Sequence, residues 1–230
     1  MNICQKQCLE QELIKCLKQL RKTVGLVFQF PEYQLFEETI LKDVSFGPKN
    51  FGMSEEESIQ RSKEALKLVG IDASYYERSP LDLSGGQKRR VAIAGVLAMK
   101  PQMLILDEPT AGLDPQGVTN LTKLLRQLNS EGITIIISTH EVDLVPNYAD
   151  RVFVLVDGLL IAEGTPKEIF AQPEILEKAN LKVPIVTELF QQLEAEGFNM
   201  ENDYPLTIED LKNYRHLNSK TPGHPEISTM

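Results

Sequence analysis

A chain of 230 residues is long enough for one large domain, or for one domain with an appendage, and a hydrophobic fraction of 42% supplies an ample core. The net charge of −9 argues against a general nucleic-acid binder, because neutralising phosphates requires clustered lysine and arginine. The longest apolar runs, 133–137 and 152–156, are far too short to span a bilayer, and no signal peptide opens the chain. We therefore expect a soluble, intracellular protein.

The N-terminal segment contains all the cysteines and a helical pattern. Leucines recur at steps of three or four residues from Leu9 to Leu20, which predicts a short amphipathic helix over residues 8–21. The cysteine spacings fit neither a zinc site nor a disulfide framework, so we interpret all three as free cytosolic thiols: Cys4, Cys8 and Cys16.

A strand and a long helical region come next. Residues 23–29 are predicted as the first strand, and Pro31 then breaks the strand into a loop. Residues 38–100 are predicted to be largely helical. One helix there begins after Ser54, a serine cap with a glutamate three positions on, and ends at Gly70.

From residue 101 the pattern changes to strand, helix, strand. The predicted elements are a strand over 103–106, a helix over 115–128 and a strand over 134–138. Two apolar strands joined by a crossover helix form a right-handed βαβ unit in a parallel sheet.

The last part of the chain starts with a hairpin signal. Asp157-Gly158 separates two apolar runs, 151–156 and 159–162, and predicts a two-residue turn. Short helices are predicted over 185–195 and 208–214. The last fifteen residues are polar and are expected to be disordered.

Two segments carry the chemistry. Leu83-Ser84-Gly85-Gly86-Gln87 is a turn opening onto a helix from Gln87 to Met99, and the free N–H groups and dipole of such a turn suit a phosphate. The apolar run 103–106 ends in Asp107 and Glu108, so a buried strand delivers two carboxylates to a sheet edge. The first segment favours an anion and the second a cation and a water, and a nucleotide with Mg²⁺ supplies both.

At these residues the chain resembles the nucleotide-binding subunit of ABC transporters. Five of the family's motifs occur in the family's order: Phe28-Gln29 (Q-loop), Ser84–Gln87 (signature), Leu104–Glu108 (Walker B), Ala111–Asp114 (D-loop) and His140 (switch histidine). The resemblance implies an α/β fold, a P-loop-NTPase-like ABC ATPase cassette with a parallel sheet core and a helical signature subdomain. The amino-acid sequence between the motifs is most similar to that of ATPases of cobalt/nickel and energy-coupling-factor vitamin uptake systems.

The resemblance also implies a division of the chain. The expected parts are an N-terminal helix over 1–22, a partial cassette over 23–184 with its helical subdomain at 38–100, a helical appendage over 185–215 and a disordered tail over 216–230.

The resemblance assigns a role to each motif. Asp107 and Gln29 would hold Mg²⁺, Glu108 would orient or deprotonate the attacking water, and His140 would act as the switch. The remaining nucleotide contacts would come from the signature, facing a nucleotide on a partner subunit, and from the D-loop: Ser84, Gly85, Gly86, Gln87 and Asp114.

Partners follow from the same resemblance. We expect ATP and Mg²⁺ as ligands, a homodimer or a heterodimer with another ABC ATPase, integral membrane subunits, no nucleic acid, and a location at the cytoplasmic face of the membrane. The loop over 30–36 offers Phe30, Tyr33, Leu35 and Phe36, and we expect all four to form an apolar docking surface for a membrane subunit.

One expected motif is missing. The phosphate-loop pattern Gly-x-x-x-x-Gly-Lys-Ser/Thr does not occur, and the residues before the Q-loop strand are too few to hold its strand, turn and helix. Residues 47–54 have the glycine spacing, but Met53 stands where lysine belongs, so we interpret the spacing as coincidence. The sequence is therefore expected to be an N-terminally incomplete cassette or a gene product begun at an internal methionine.

The leading hypothesis is an energy-coupling ATPase subunit of an importer for cobalt or a related micronutrient. Alternatives are a non-catalytic cassette that lends its signature to a paralogue, or a truncated product without ATPase activity. A DNA-repair or chromosome-type ABC ATPase is disfavoured, because no heptad pattern continues beyond the opening helix.

Overall fold

The computed structural model describes residue 17, residues 19–196 and residues 205–213. The chain forms two compact units, Met1–Thr139 and His140–Met230. This boundary falls inside the range 23–184 that the resemblance assigns to the cassette, and the predicted domain limits stay predictions. Most of the predicted helix 8–21 and the whole predicted tail 216–230 lie outside the described residues. Within the described ranges, no helix combines the length and apolarity that a membrane crossing requires.

The first unit contains a three-stranded parallel sheet in the order β1-β2-β3. The strands are β1 (Val24–Val27), β2 (Met103–Asp107) and β3 (Thr134–Ser138), and helix α4 (Pro115–Ser130) connects β2 to β3. The predicted strand–helix–strand unit is therefore confirmed. The first strand is shorter than the predicted 23–29, because Phe28 and Gln29 already lie beyond the paired residues.

The two faces of this sheet differ in burial. Val27, Leu104 and Leu106 are buried in the core of the unit. On the opposite face Leu26, Ile105 and Ile136 lie in register across the three strands, and Leu26 and Ile136 are each 45% exposed. The sheet thus presents a row of apolar side chains on its open face.

Helices pack on the sheet and on one another around this core. Helix α3 (Gly85–Leu97) packs against β1 and α4 packs against β3, while α1 (Ile40–Asn50) and α2 (Glu55–Leu68) pack against α3. Short 3-10 helices lie at Pro31–Gln34, Ala73–Tyr75 and Pro80–Asp82. Ser54 caps α2 by accepting a hydrogen bond from the Glu57 amide at 3.2 Å, and Gly70 follows its end with a φ of 72°. Both predicted limits of α2 are confirmed.

Residues 47–54 do not form a phosphate loop. Gly47 and Pro48 lie inside α1, and Pro48 is buried. Ser54 is used as the cap of α2. The glycine spacing in this segment is therefore coincidental, as predicted.

The second unit starts with α5 (Val145–Tyr148) and an antiparallel hairpin. Its strands are β4 (Val152–Val156) and β5 (Leu159–Gly164), and the described helices after them are α6 (Pro166–Phe170), α7 (Pro173–Lys178), α8 (Ile185–Ala195) and α9 (Ile208–Asn213). Asp157 and Gly158 have φ values of 50° and 78°, which is the positive pair that a type I′ turn needs. The predicted hairpin is confirmed.

Candidate functional site

Two carboxylates lie at the end of β2, and each accepts a hydrogen bond from a hydroxyl at the end of β3. Ser138 Oγ donates to Asp107 Oδ1 at 2.9 Å, and Thr139 Oγ1 donates to Glu108 Oε2 at 3.2 Å. The amide of Glu108 also donates to the Ser138 carbonyl at 2.9 Å. Both carboxylates are half-buried and are held at the carboxyl edge of a parallel sheet, where ligands of open α/β folds bind.

The backbone at this edge is strained. Glu108 has a φ of 44° and Phe30, just after β1, a φ of 53°, although neither residue is glycine. Such conformations cost of order 1–3 kcal/mol each and concentrate at functional sites. Two of the five non-glycine residues with positive φ in the described ranges therefore lie at the same sheet edge as the carboxylates.

Gln29 reaches this edge from the neighbouring strand. Val27 at the end of β1 pairs with Leu106, so Gln29 and Glu108 both lie two residues beyond that pair. Gln29 is exposed. The fold places the predicted Q-loop at the same sheet edge as the carboxylates.

The signature turn is built into the start of α3. Ser84 and Gln87 form a capping box, in which Ser84 Oγ accepts from the Gln87 amide at 3.3 Å and Gln87 Oε1 accepts from the Ser84 amide at 3.0 Å. The helix begins at Gly85, two residues earlier than predicted, because this box already organises the first turn.

The two signature glycines have no steric role within the chain. A Cβ added at Gly85 or Gly86 would meet no atom within 4 Å, and neither residue has a positive φ. Both are exposed. Their backbone is therefore open to close approach by another molecule.

The other two predicted site residues have separate structural roles. Asp114 is exposed and caps α4, because its Oδ1 accepts from the Gly117 amide at 2.6 Å. His140 is the first residue of the second unit, it is exposed, and its carbonyl accepts from the Val142 amide at 3.0 Å.

Arg89, two residues after the signature, connects the segment after the Q-loop to the turn that leads into the D-loop, although the sequence analysis gave it no role. Its Nε and Nη2 donate to the two carboxylate oxygens of Glu32 at 3.2 and 3.0 Å. Its Nη1 donates to the carbonyls of Pro109 at 2.9 Å and Ala111 at 2.8 Å. Only 4% of the Arg89 side chain is exposed, so its positive charge is stabilised by these hydrogen-bond partners instead of by water.

The aromatic loop, residues 30–36, is only partly exposed. Tyr33 is 85% exposed and Phe36 is 63% exposed, with the Phe36 ring packed edge-on against Phe46 at 4.9 Å. Leu35, in contrast, is half-buried against the core of the unit. The expectation that Leu35 belongs to an exposed surface was wrong, because its side chain packs inward.

The donor set fits Mg²⁺ better than a fully protein-ligated metal. No three His, Cys, Asp or Glu residues come together anywhere in the described ranges. Mg²⁺ is usually held by one or two carboxylates together with substrate phosphates and waters. Asp107, whose Oδ1 already accepts from Ser138, offers one oriented carboxylate of this kind.

Comparison with known families and sequences identifies the family of the chain. The family model described as ABC transporter matches residues 2–111, and a second one, transketolase thiamine diphosphate binding domain, matches residues 193–230. The energy-coupling factor transporter ATP-binding protein EcfA2 of Streptococcus pyogenes serotype M28 is 55% identical over 86% of this chain and 70% of its own length. The serotype M5 protein is 54% identical over the same shares.

Solved structures have the same fold. CbiO1 from Clostridium perfringens, part of the ABC transporter complex CbiONQ, is 50% identical with a TM-score of 0.62, over 75% of this chain and 69% of its own. The ATP-binding cassette MJ0796, a dimer in a post-hydrolysis state with ADP and Pi, is 32% identical with a TM-score of 0.56, over 66% of both chains. This chain belongs to the family of ABC transporter ATPases and has the ABC cassette fold.

Proposed function

We propose that the chain is the ATP-binding, energy-coupling subunit of an importer for cobalt or a related micronutrient. The observation that carries this proposal is the pair Asp107 and Glu108, each held by a hydroxyl from the end of β3. The substrate class is inferred from the names of the relatives, which are an energy-coupling factor subunit and a component of CbiONQ.

Glu108 is the proposed catalytic base. Its carboxylate orients the water that attacks the γ-phosphate and accepts the proton of that water. The hydrogen bond from Thr139 holds Oε2 of Glu108 in place. Because the carboxylate is planar and rigid, this contact also restricts the position of the other oxygen, Oε1. Bound Mg²⁺ would neutralise phosphate charge at this edge, with Asp107 and Gln29 as the residues of this chain that hold it.

The signature acts on a second nucleotide. Ser84, Gly85 and Gly86 are exposed at the positive end of α3. A Cβ added at either glycine would meet no atom of the described residues within 4 Å. A nucleotide phosphate carried by another ABC ATPase subunit fits this surface, since amide groups and the helix dipole favour an anion. The active assembly is therefore a homodimer or heterodimer, with Gln87 and Asp114 at the same nucleotide interface and His140 as the switch.

A membrane subunit is the proposed second partner. Tyr33 and Phe36 expose more apolar surface than a loop normally does, and they lie four and seven residues after Gln29. A helix of an integral membrane subunit bound there would place this chain at the cytoplasmic face of the membrane. Movement of the Q-loop would then pass to that helix.

A second candidate function is a cassette that lends its signature to a complete paralogue. The sequence favours it in one respect, because the 230 residues contain no Gly-x-x-x-x-Gly-Lys-Ser/Thr pattern. In that case Ser84 to Gln87 would support hydrolysis at the paralogue's nucleotide, while Glu108 would have no nucleotide to act on.

Calorimetric titration and an ATPase assay distinguish the two functions. Under either function, these 230 residues alone should show no Mg-ATP binding at micromolar concentration, since backbone amides and a lysine of the phosphate loop supply most of the affinity. A form fused to the strand, phosphate loop and helix of an ABC ATPase should bind and hydrolyse ATP. If the fused form binds ATP but never hydrolyses it, the catalytic proposal fails and the signature-lending function is favoured. Tight stoichiometric binding by the 230-residue chain alone would reveal an unrecognised phosphate loop.

A further inference from the structure

We propose that Arg89 is a positioning residue that holds the signature helix, the segment after Gln29 and the turn after Glu108 in one fixed arrangement. The inference that this arrangement serves catalysis rests on the proposed function. Its structural part rests only on the contacts that Arg89 makes. The hydrogen bonds of the Arg89 side chain go to Glu32, Pro109 and Ala111, none of which is proposed to contact nucleotide.

The shape of the guanidinium explains why this position needs arginine. One edge, Nε and Nη2, pairs with both oxygens of Glu32, while Nη1 reaches the carbonyls of Pro109 and Ala111. A lysine has a single ammonium at the end of a flexible stem and cannot span both directions at once. Lysine at this position would therefore keep the charge but lose the connection.

The connection has a consequence for a dimer. Arg89 lies on α3 five residues after Ser84, which is roughly 7.5 Å along the helix axis. In the proposed dimer, Glu108 acts on the nucleotide of its own subunit and Ser84 on that of its partner. Arg89 therefore couples two nucleotide sites, because a shift of the turn at 109–111 pulls on the helix that carries Ser84.

Arg90 provides a matched control on the same helix. Its Nη1 donates to the carbonyls of Val69 and Gly70 at 3.2 and 3.3 Å, and it is half-buried. Like Arg89, it donates from Nη1 to two backbone carbonyls, but none of its hydrogen bonds within the described residues goes to a carboxylate, and the segment it holds is the end of α2. A lysine there should loosen residues 69–71 and leave the candidate site alone.

Hydrogen–deuterium exchange on the full chain without nucleotide tests the structural part. Arg89→Lys should raise exchange about tenfold at residues 31–36 and 109–114, as expected for the loss of local hydrogen bonds. Arg90→Lys should raise it only at 69–71. Equal exchange at 109–114 in the two variants would overturn the proposal.

Glu32→Gln covers the case in which Arg89→Lys does not fold. It keeps the shape of the side chain and leaves the contacts of Arg89 with the carbonyls of Pro109 and Ala111 in place. Exchange should rise at 31–36 and stay close to wild type at 109–114. No rise at 31–36 would overturn the proposal.

Kinetics of the ATP-hydrolysing assembly test the catalytic part. Arg89→Lys should lower kcat at least about tenfold, because catalytic groups misplaced by a fraction of an ångström lose rate steeply, while KM for ATP stays within about twofold. Arg90→Lys should change neither constant. Equal kcat values for the two variants would contradict the catalytic part. An assembly whose wild type hydrolyses no ATP would instead refute the proposed function, and the exchange result would still decide the structural part.

Discussion

The hydroxyl of Thr139 donates to Oε2 of Glu108 at 3.2 Å, across the gap between the ends of β3 and β2. The residue that precedes His140 in the chain thus holds the proposed catalytic carboxylate. Ser138 holds Asp107 in the same way, one residue earlier on each strand. Two adjacent hydroxyls at the end of β3 therefore orient two adjacent carboxylates at the end of β2.

Thr139→Val should slow hydrolysis without weakening nucleotide binding. The valine keeps the shape of the side chain but donates no hydrogen bond, so Glu108 loses one of the contacts that orient its carboxylate. We expect kcat to fall about tenfold, and the free energy of unfolding to fall by about 1 kcal/mol, the usual net value of one hydrogen bond. Thr139→Ser retains the donor and should restore most of the rate. A Val variant with wild-type kcat would show that the contact is dispensable.

Glu108→Gln should leave nucleotide binding intact and lower turnover by at least about 10²-fold, the low end for loss of a positioned base. The measurement is steady-state ATPase activity of the assembly that contains a phosphate loop, with nucleotide affinity measured beside it. Glu131→Gln is the control, because Glu131 is exposed and lies after the far end of α4. Wild-type turnover in the Glu108 variant would refute its role as base.

Tyr33→Ala and Leu35→Ala should separate docking from folding. Tyr33 is 85% exposed, so its removal should release the protein from membranes that contain the partner subunits while the melting temperature hardly changes. Leu35 packs against the core, so its removal should lower the free energy of unfolding by about 1–2 kcal/mol, less than a fully buried leucine costs. Leu159→Ala, 70% exposed in the second unit, is the control for surface apolar loss. Membrane flotation and thermal melts give the two readouts, and docking at Tyr33 is refuted if its variant floats like wild type.

Gly25→Ala and Gly95→Ala should change stability in opposite directions. A Cβ at Gly25 would lie 2.5 Å from Val96 Cγ1, so β1 and α3 would have to move apart, at a cost of about 1–3 kcal/mol. A Cβ at Gly95 meets no atom within 4 Å, and alanine inside α3 should stabilise it by about 0.5–1 kcal/mol. Urea unfolding of both variants measures the difference. A destabilised Gly95 variant would mean that α3 is packed more closely than its open Cβ position indicates.

Elements with a strong local pattern could be predicted from the sequence. The strand 134–138, the serine cap at Ser54 and the Asp157-Gly158 turn all depend on neighbouring residues, and the structure confirms each of them. The start of α3 was predicted two residues late, because two consecutive glycines suggest a turn even where a capping box makes them helical.

Contacts between distant residues could not be predicted in the same way. Arg89 and Glu32 are 57 positions apart. Arg89 also stands between two other basic residues, Lys88 and Arg90, from which the sequence alone does not distinguish it. Only packing decides which of them is buried. The contacts of the hydroxyls of Ser138 and Thr139 were easier to predict from the sequence. Ser138 and Asp107 end neighbouring strands of a predicted parallel sheet, and Thr139 follows directly.

The pairing of Val24 with Met103 has a consequence for how the chain folds. β1 and β2 are neighbours in the sheet, yet α1, α2 and α3 lie between them in the chain. Pairing these strands closes a long loop, which costs chain entropy, whereas the local contacts within a helix close only short loops. Non-local strand pairing is therefore expected to be the slow part of folding. We therefore expect Gln29 and Asp107 to reach the same sheet edge late in the folding of this unit. A nascent chain that has left the ribosome only as far as α2 already carries Gln29, but it has neither carboxylate and no signature.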